Sequence, residues 1–156
     1  MSASAPRPSA PALFVSSSPP PGFVAALLKG LDEHTLAATG QLYREETFVI
    51  GLDRAEGEEV QAGLTGKTAA GLLQISLLFV KADLRGQGIG SALLRRALQL
   101  GAERGCVYAC VDTFSFQARE FYEREGFEVL CEIDTTLGEG IKKIFLGRKL
   151  QPLEAR

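Results

Sequence analysis

The sequence predicts an α+β protein with one mixed sheet flanked by helices, because two hydrophobic periodicities alternate along its 156 residues. Residues 47–80 contain three strand-like runs separated by short polar turns, which is typical of an antiparallel meander. After residue 88 the apolar side chains recur at helical spacing, and strand-like runs return after residue 105. Internal repeats are absent, so the length favours one folded domain.

The meander is predicted from three apolar runs. Residues 47–52 and 60–64 form the first two strands, with a polar turn at 53–59 between them and a second turn at 65–68. The third strand covers residues 72–80, and its almost continuous apolar composition indicates a position at the centre of the sheet.

The second half begins with an amphipathic helix whose apolar face comprises Ile89, Leu93, Leu94, Ala97 and Leu98. This helix is predicted to end near residues 101–105, with Gly105 as its C-terminal cap. A strand at 106–111, a short helix at 116–125 that Gly126 ends, and strands at 127–133 and 141–146 complete the order.

The N-terminal residues 1–22 differ in composition from the rest and contain six of the seven prolines. Such a segment buries too little side chain to offset its ordering entropy, so we expect a mostly disordered tail followed by a folded domain at residues 23–150. A short edge strand at 12–16 and a helix that begins with Pro21 in its first turn are the ordered features predicted here.

Composition and charge exclude several classes of protein. Lys and Arg number 17 against 19 Asp and Glu, and this net charge of −2 argues against a protein that binds nucleic acid by neutralising many phosphates. No apolar run is long enough to span a membrane, and the N-terminal residues lack the basic start and sustained apolar stretch of a signal peptide, so neither is expected and a cytoplasmic protein is the prediction. The three cysteines lack metal-ligand spacing, and no metal site is predicted.

A glycine-rich corner stands between the third strand and the amphipathic helix, with the sequence Arg85-Gly86-Gln87-Gly88-Ile89-Gly90-Ser91. Glycines allow a tight turn, and a helix N-terminus carries unpaired N–H groups with a partial positive charge, so this corner predicts a phosphate or pyrophosphate site. A dinucleotide fingerprint is excluded because Ser91 replaces its third glycine. Residues 66–68 resemble the end of a P-loop but lack its first glycine and its helix. A merely flexible turn is the structural alternative.

Two motifs in this order carry a family resemblance. Arg85-x-x-Gly88-x-Gly90 resembles the pyrophosphate-binding signature of the GCN5-related N-acetyltransferase (GNAT) superfamily, whose members use acetyl-coenzyme A. Residues 118–127 (AREFYEREGF) resemble the second signature of that superfamily, and residues 112–118 resemble a bacterial branch of poorly defined substrate. The resemblance covers about residues 43–149 and implies a mostly antiparallel mixed sheet with two splayed strands.

The resemblance also implies how the coenzyme is held. The backbone of Leu78, Phe79 and Val80 would pair with the pantetheine arm, which requires the third strand to splay from the strand at 106–111. The pyrophosphate would bind at the glycine corner, with charge added by Arg85. The residues implied for this are Gly86 and the N–H groups of Gln87, Gly88, Ile89, Gly90 and Ser91. Ser115 stands where many relatives carry an asparagine near the coenzyme.

Tyr122 is the predicted catalytic acid, because a phenol near the sulfur can protonate the departing thiolate. A backbone N–H near residues 78–80 could stabilise the developing oxyanion. Asp112 is the candidate base, with Glu45, Glu46 or a chain of waters as alternatives.

The function implied is direct transfer of an acetyl group from acetyl-coenzyme A to a primary amine of a small molecule or peptide, in a ternary complex. The acidic residues Glu132, Asp134 and Glu139 favour a cationic amine. A non-catalytic acyl-coenzyme A sensor and an acetyltransferase for protein or tRNA are the alternatives. Neither a nucleic-acid partner nor a membrane is expected, and a homodimer is compatible with the superfamily.

Overall fold

The computed structural model describes residues 13–52 and 59–151. Its elements are α1 (Phe23–Thr39), β1 (Glu46–Gly51), β2 (Ala62–Ala69), β3 (Leu72–Val80), a 3-10 turn (Ala82–Leu84), α2 (Ile89–Glu103), β4 (Tyr108–Phe114), α3 (Arg119–Arg124), β5 (Glu128–Asp134) and β6 (Lys142–Lys149). Within the described ranges the strands form one sheet in the order β1-β2-β3-β4-β6-β5. The contact between β3 and β4 is parallel and the others are antiparallel, which confirms the α+β fold with a mixed sheet.

The chain divides into two compact units, residues 1–42 and 43–156. In the first unit α1 follows Gly22 and ends at Gly40, whose N–H donates to the carbonyl of Leu36 at 2.9 Å. Pro21 lies in the turn before the helix, so its predicted place in the first helical turn is wrong. Residues 13–16 form no strand because no neighbouring strand pairs with them; the rest of the predicted edge strand, and most of the predicted tail, lie outside the described residues.

The second unit is built around a core between the sheet and α2. Leu64, Leu73 and Ile75 from the strands are at most 1% exposed and pack with Leu94 and Ala97 of α2. Removing a side chain of this size from water contributes about 1.5–3 kcal/mol, so this face fixes the position of α2 on the sheet.

The turn predicted at residues 65–68 is wrong, because β2 continues to Ala69 and the chain reverses at Ala70 and Gly71. Gly66 is a packing residue within the strand. A Cβ atom there would lie 2.6 Å from both the Gln74 carbonyl oxygen and a ring carbon of Phe48. The neighbouring turn predicted at residues 53–59 lies largely outside the described residues.

The helix α2 ends where the sequence predicts, whereas α3 begins later than predicted. Gly105 has φ +76° and the next N–H, from Cys106, donates to the Gly101 carbonyl at 2.8 Å, which confirms the predicted end of α2. The third helix is shorter than predicted and begins at Arg119. Residues 116–118 form a turn instead, in which the Gln117 side-chain oxygen accepts from the Phe114 N–H at 3.2 Å.

Candidate active site

The sheet opens where β3 and β4 diverge. These two strands pair only over residues 72–74 and 108–110, although both continue for several residues beyond. In β3 the register with β2 steps from Thr65–Leu77 to Gly66–Ile75, so Ser76 is an extra residue in a β-bulge. The result is a cleft of about 1280 Å³ between the two strands, and the splay that the family resemblance requires is present.

Apart from the alternative bases, the cleft brings together all of the predicted site residues except one. Its lining includes Leu78, Phe79, Val80, Arg85, Gly86, Gly88, Ile89, Gly90, Ser91, Asp112, Ser115 and Tyr122. The exception is Gln87, whose side-chain nitrogen donates to the Asp83 carbonyl at 3.0 Å and braces the turn from outside the cleft.

The glycine corner is open and rich in N–H groups. Gly86 and Gly88 have φ of +76° and +79°, which L side chains rarely adopt, and no atom lies within 4 Å of where a Cβ atom would stand on either residue. The first helical hydrogen bond runs from the Ala92 N–H to the Gly88 carbonyl at 2.9 Å. The amides that precede Ala92 in α2 therefore have no partner within the helix, and the first turn contains no acidic residue to compete for them. This arrangement suits an anion.

Arg85 connects the glycine corner to the end of β3. Its Nε atom donates to the Val80 carbonyl oxygen at 3.0 Å, which joins the end of β3 to the glycine turn. Among the described residues this is the one hydrogen bond of the side chain, and its positive charge lies beside the corner.

Tyr122 presents its hydroxyl group to the cleft from an otherwise buried ring. The residue is 4% exposed, and its ring packs edge-on against Phe121 and Phe127 at centroid distances of 5.1 and 5.7 Å. Its hydroxyl makes no hydrogen bond to another described residue. Burial, followed by the negative charge of Asp112, raises the pKa of Tyr122 to about 12. The phenol is therefore protonated throughout the neutral range.

Asp112 lies on the opposite wall, in β4, where its carboxylate forms an ion pair with Lys143. The Lys143 ammonium also lies 4.4 Å from the centroid of the Phe114 ring, which stacks on Phe116 at 5.6 Å. This wall thus combines two aromatic rings with a paired carboxylate and ammonium.

The other carboxylates considered as bases lie outside the cleft. Glu45 pairs with Lys67 at 2.8 Å and Glu46 pairs with Arg104 at 3.4 Å, both beside β1 and β2. Asp112 is therefore the one of these three candidates whose side chain can reach a ligand in the cleft.

Ser115 is tied to the neighbouring strand. Its N–H donates to the Lys142 carbonyl at 2.9 Å, and its hydroxyl oxygen accepts from the Lys142 N–H at 3.1 Å. These bonds continue the ladder between β4 and β6, and the hydroxyl donates to no other described residue.

Sequence reasoning missed four charged residues of the lining, Lys143, Arg119, Glu120 and Arg124. Lys143 could be found only from the register, because it pairs with Phe114 in a strand that follows about thirty residues later. Arg124 and Glu120 stand four apart in the second motif, so helical spacing was the available signal for them.

The comparisons with known proteins agree with this geometry. The sequence matches the profile of the Acetyltransferase (GNAT) family over residues 11–127. The chain belongs to the GNAT family. Within it, the chain is 45% identical over 74 residues to acetyltransferase Atu2258 of Agrobacterium fabrum, which covers 47% of this chain and 54% of that protein. It is 39% identical over 79 residues to blasticidin-S acetyltransferase of Streptomyces morookaense, which covers 50% and 58%. The chain thus spans a little over half the length of these curated relatives.

Solved GNAT structures share the fold. A crystal structure from Agrobacterium tumefaciens has a TM-score of 0.74 at 31% identity and covers 89% of this chain and 99% of its own. An aminoglycoside 6'-N-acetyltransferase complexed with coenzyme A has a TM-score of 0.58 at 14% identity and covers 70% and 76%. Across the described residues of the present chain, no helix is long and apolar enough to cross a membrane, and no three metal-binding side chains cluster.

Proposed function

We propose that this GNAT protein is an N-acetyltransferase that transfers the acetyl group of acetyl-coenzyme A directly to a primary amine of a small molecule. One observation carries the proposal. The open glycine corner at the N-terminus of α2 and the free hydroxyl of Tyr122 line the same cleft, at the point where the sheet is splayed.

The residues of the cleft fit the coenzyme. Its pyrophosphate would bind the main-chain N–H groups at Gly88, Ile89 and Gly90, because these lack partners within α2 and no atom lies within 4 Å of the Cβ position on Gly88. The edge of β3 beyond Gln74, which β4 leaves unpaired, offers main-chain groups to the amides of the pantetheine arm. The coenzyme supplies a thioester, whose carbonyl carbon is the electrophile.

In the proposed reaction the amine nitrogen attacks the thioester carbonyl carbon, the carbon–sulfur bond breaks, and the thiolate receives a proton. Tyr122 supplies that proton, since its hydroxyl has no other described partner and stays protonated in the neutral range. An ordinary thiol has a pKa of about 8.5, so full transfer from this phenol is unfavourable in water. The apolar surroundings of Tyr122 would also raise the pKa of the coenzyme thiol. The difference between the pKa values of the phenol and the thiol is therefore smaller in the cleft than in water.

Asp112 is the proposed acceptor for the amine proton, and its carboxylate is paired with Lys143. The pair also gives the wall a carboxylate that an ammonium group can approach, which supports a cationic acceptor. One similar protein, named for blasticidin S, supports a small molecule over a macromolecule as the acceptor.

The test begins with isothermal titration of the full chain with acetyl-coenzyme A, where we expect binding in the micromolar range. Thiol release is then measured against blasticidin S, aminoglycosides, polyamines and amino acids. Tyr122→Phe should lower kcat about 100-fold with little change in the dissociation constant of the coenzyme. Absence of binding would refute the proposal, and binding with no thiol release for any amine would favour the non-catalytic sensor.

A further inference from the structure

Arg124 stands at the junction between α3 and the glycine corner. The first turn of α2 lies against α3: a Cβ atom on Gly90 would be 3.5 Å from the Phe121 ring. Arg95 of α2 binds Glu125, the residue after Arg124, through two contacts of 3.3 and 3.4 Å. Arg124 and the glycine corner both line the cleft, and the contacts between α2 and α3 bring their elements together.

The cleft has three arginines in its lining, and two of them are engaged within the protein. Arg85 donates to the Val80 carbonyl, and Arg119 binds Glu123 at 3.1 Å as well as Glu132. Arg124 approaches Glu120 at 3.8 Å, and the two side chains are 69% and 88% exposed. An ion pair this long and this exposed contributes little, so a ligand can displace it at small cost.

Arg124 also lines a second hollow, in which arginines outnumber carboxylates. This hollow of about 480 Å³ beside the cleft is lined by Arg124, Arg95 and Arg148, with Glu125 as its one carboxylate. Three guanidinium groups around one carboxylate favour a ligand group with more than one negative charge.

We propose that Arg124 binds the 3'-phosphate of coenzyme A, the group that distinguishes it from dephospho-coenzyme A. This assignment rests on the proposed function, which places the pyrophosphate at the glycine corner. The 3'-phosphate is carried by the ribose attached to that pyrophosphate, and it is a dianion with three acceptor oxygens. A guanidinium binds such a group through two parallel hydrogen bonds, whereas the main-chain cradle is already filled by the pyrophosphate.

The test is calorimetric binding of coenzyme A and of 3'-dephospho-coenzyme A to the full chain at low ionic strength. We expect the native protein to bind coenzyme A about five- to tenfold more tightly than the dephospho form. Arg124→Ala should abolish that preference by weakening coenzyme A alone, and Arg124→Glu should make coenzyme A the weaker ligand. Arg96→Ala is the matched control, because Arg96 pairs with Glu103 at 3.4 Å on α2 and does not line the cleft. It should keep the preference.

The outcomes separate this assignment from the proposed function. Equal affinity of the native protein for the two coenzymes, or a loss in Arg124→Ala that is the same for both, would overturn the role of Arg124 and leave the proposed function standing. Binding of neither coenzyme would overturn both.

Discussion

The guanidinium of Arg95 in α2 binds the carboxylate of Glu125, just past the end of α3, at 3.3 and 3.4 Å. Arg148 of β6 reaches the same residue and donates to its main-chain carbonyl oxygen. Glu125 therefore joins α2, α3 and the sheet at a point three residues after Tyr122. This junction holds the phenol in a fixed relation to the glycine corner.

Glu125 should contribute to stability in a pH-dependent way. Burial acts to raise the pKa of Glu125, but hydrogen bonds from Ser91 and Arg95 and the charges of Arg95 and Arg148 outweigh it and lower the pKa. The native state thus favours the charged form. Its stabilisation is present above the ordinary glutamate pKa of about 4.3 and is lost as the pH falls through the lower native value.

The measurement for Glu125 is urea unfolding of the native protein and of Glu125→Gln from pH 7 to pH 3. The variant should be less stable by about 1–2 kcal/mol at pH 7, and this difference should shrink as the pH falls below 4. The control Glu103→Gln removes a more exposed partner of Arg96 and should cost less than about 0.5 kcal/mol. A difference between the native protein and Glu125→Gln that stays constant down to pH 3 would contradict the assignment.

Tyr122 should titrate at high pH. Because burial and Asp112 raise the pKa of Tyr122 to about 12, folding favours its protonated form, and this stabilisation is complete below pH 10 and is lost as the pH rises through 12. The measurement is an absorbance titration at the tyrosinate band of the native protein and of Tyr122→Phe. The difference between the two curves should show one phenol that ionises near pH 12. Ionisation of that phenol near pH 10 would mean that the hydroxyl is solvated.

Gly88→Ala should weaken coenzyme binding more than its effect on stability explains. Gly88 and Gly105 lie at opposite ends of α2 with φ of +79° and +76°, and both face open space. Alanine at either position should therefore cost a similar 1–2 kcal/mol, roughly the strain of the left-handed conformation. Acetyl-coenzyme A affinity should fall at least tenfold in Gly88→Ala and remain unchanged in Gly105→Ala. Equal affinities in the two variants would argue against the corner as the binding site.

Gly66→Ala should destabilise the sheet strongly. The new Cβ atom would stand 2.6 Å from the Gln74 carbonyl oxygen, which belongs to the backbone and cannot move without breaking the β2–β3 ladder. We expect a loss of about 3 kcal/mol in the free energy of unfolding. Gly63→Ala is the control in the same strand, because its Cβ atom would meet the Ile50 carbonyl at an ordinary 3.4 Å. Similar unfolding free energies for the two variants would disprove the packing role of Gly66.

Local periodicity was enough to predict α2, β3 and the glycine corner, because each depends on side chains close together in the chain. The extent of β2 was mispredicted, since Gly66 has the composition of a turn and its true role depends on the Phe48 ring of another strand. The pairing of Asp112 with Lys143 depends on the register between β4 and β6, which no local pattern encodes. The bulge at Ser76 has the same origin, because it exists only relative to β2.

The short parallel contact between β3 and β4 has a consequence for the local stability of the sheet. Within the described residues, three residue pairs between β3 and β4 are the only backbone pairing that joins β1-β2-β3 to β4-β6-β5. The packing of α2 in the core must therefore contribute much of the stability of this junction. A ligand that hydrogen-bonds along the unpaired edge of β3 would fill the gap between β3 and β4 and stabilise both parts of the sheet. On the proposed function, coenzyme binding should therefore slow amide hydrogen exchange in the strands on both sides of the β3–β4 junction, including strand residues that the ligand does not contact.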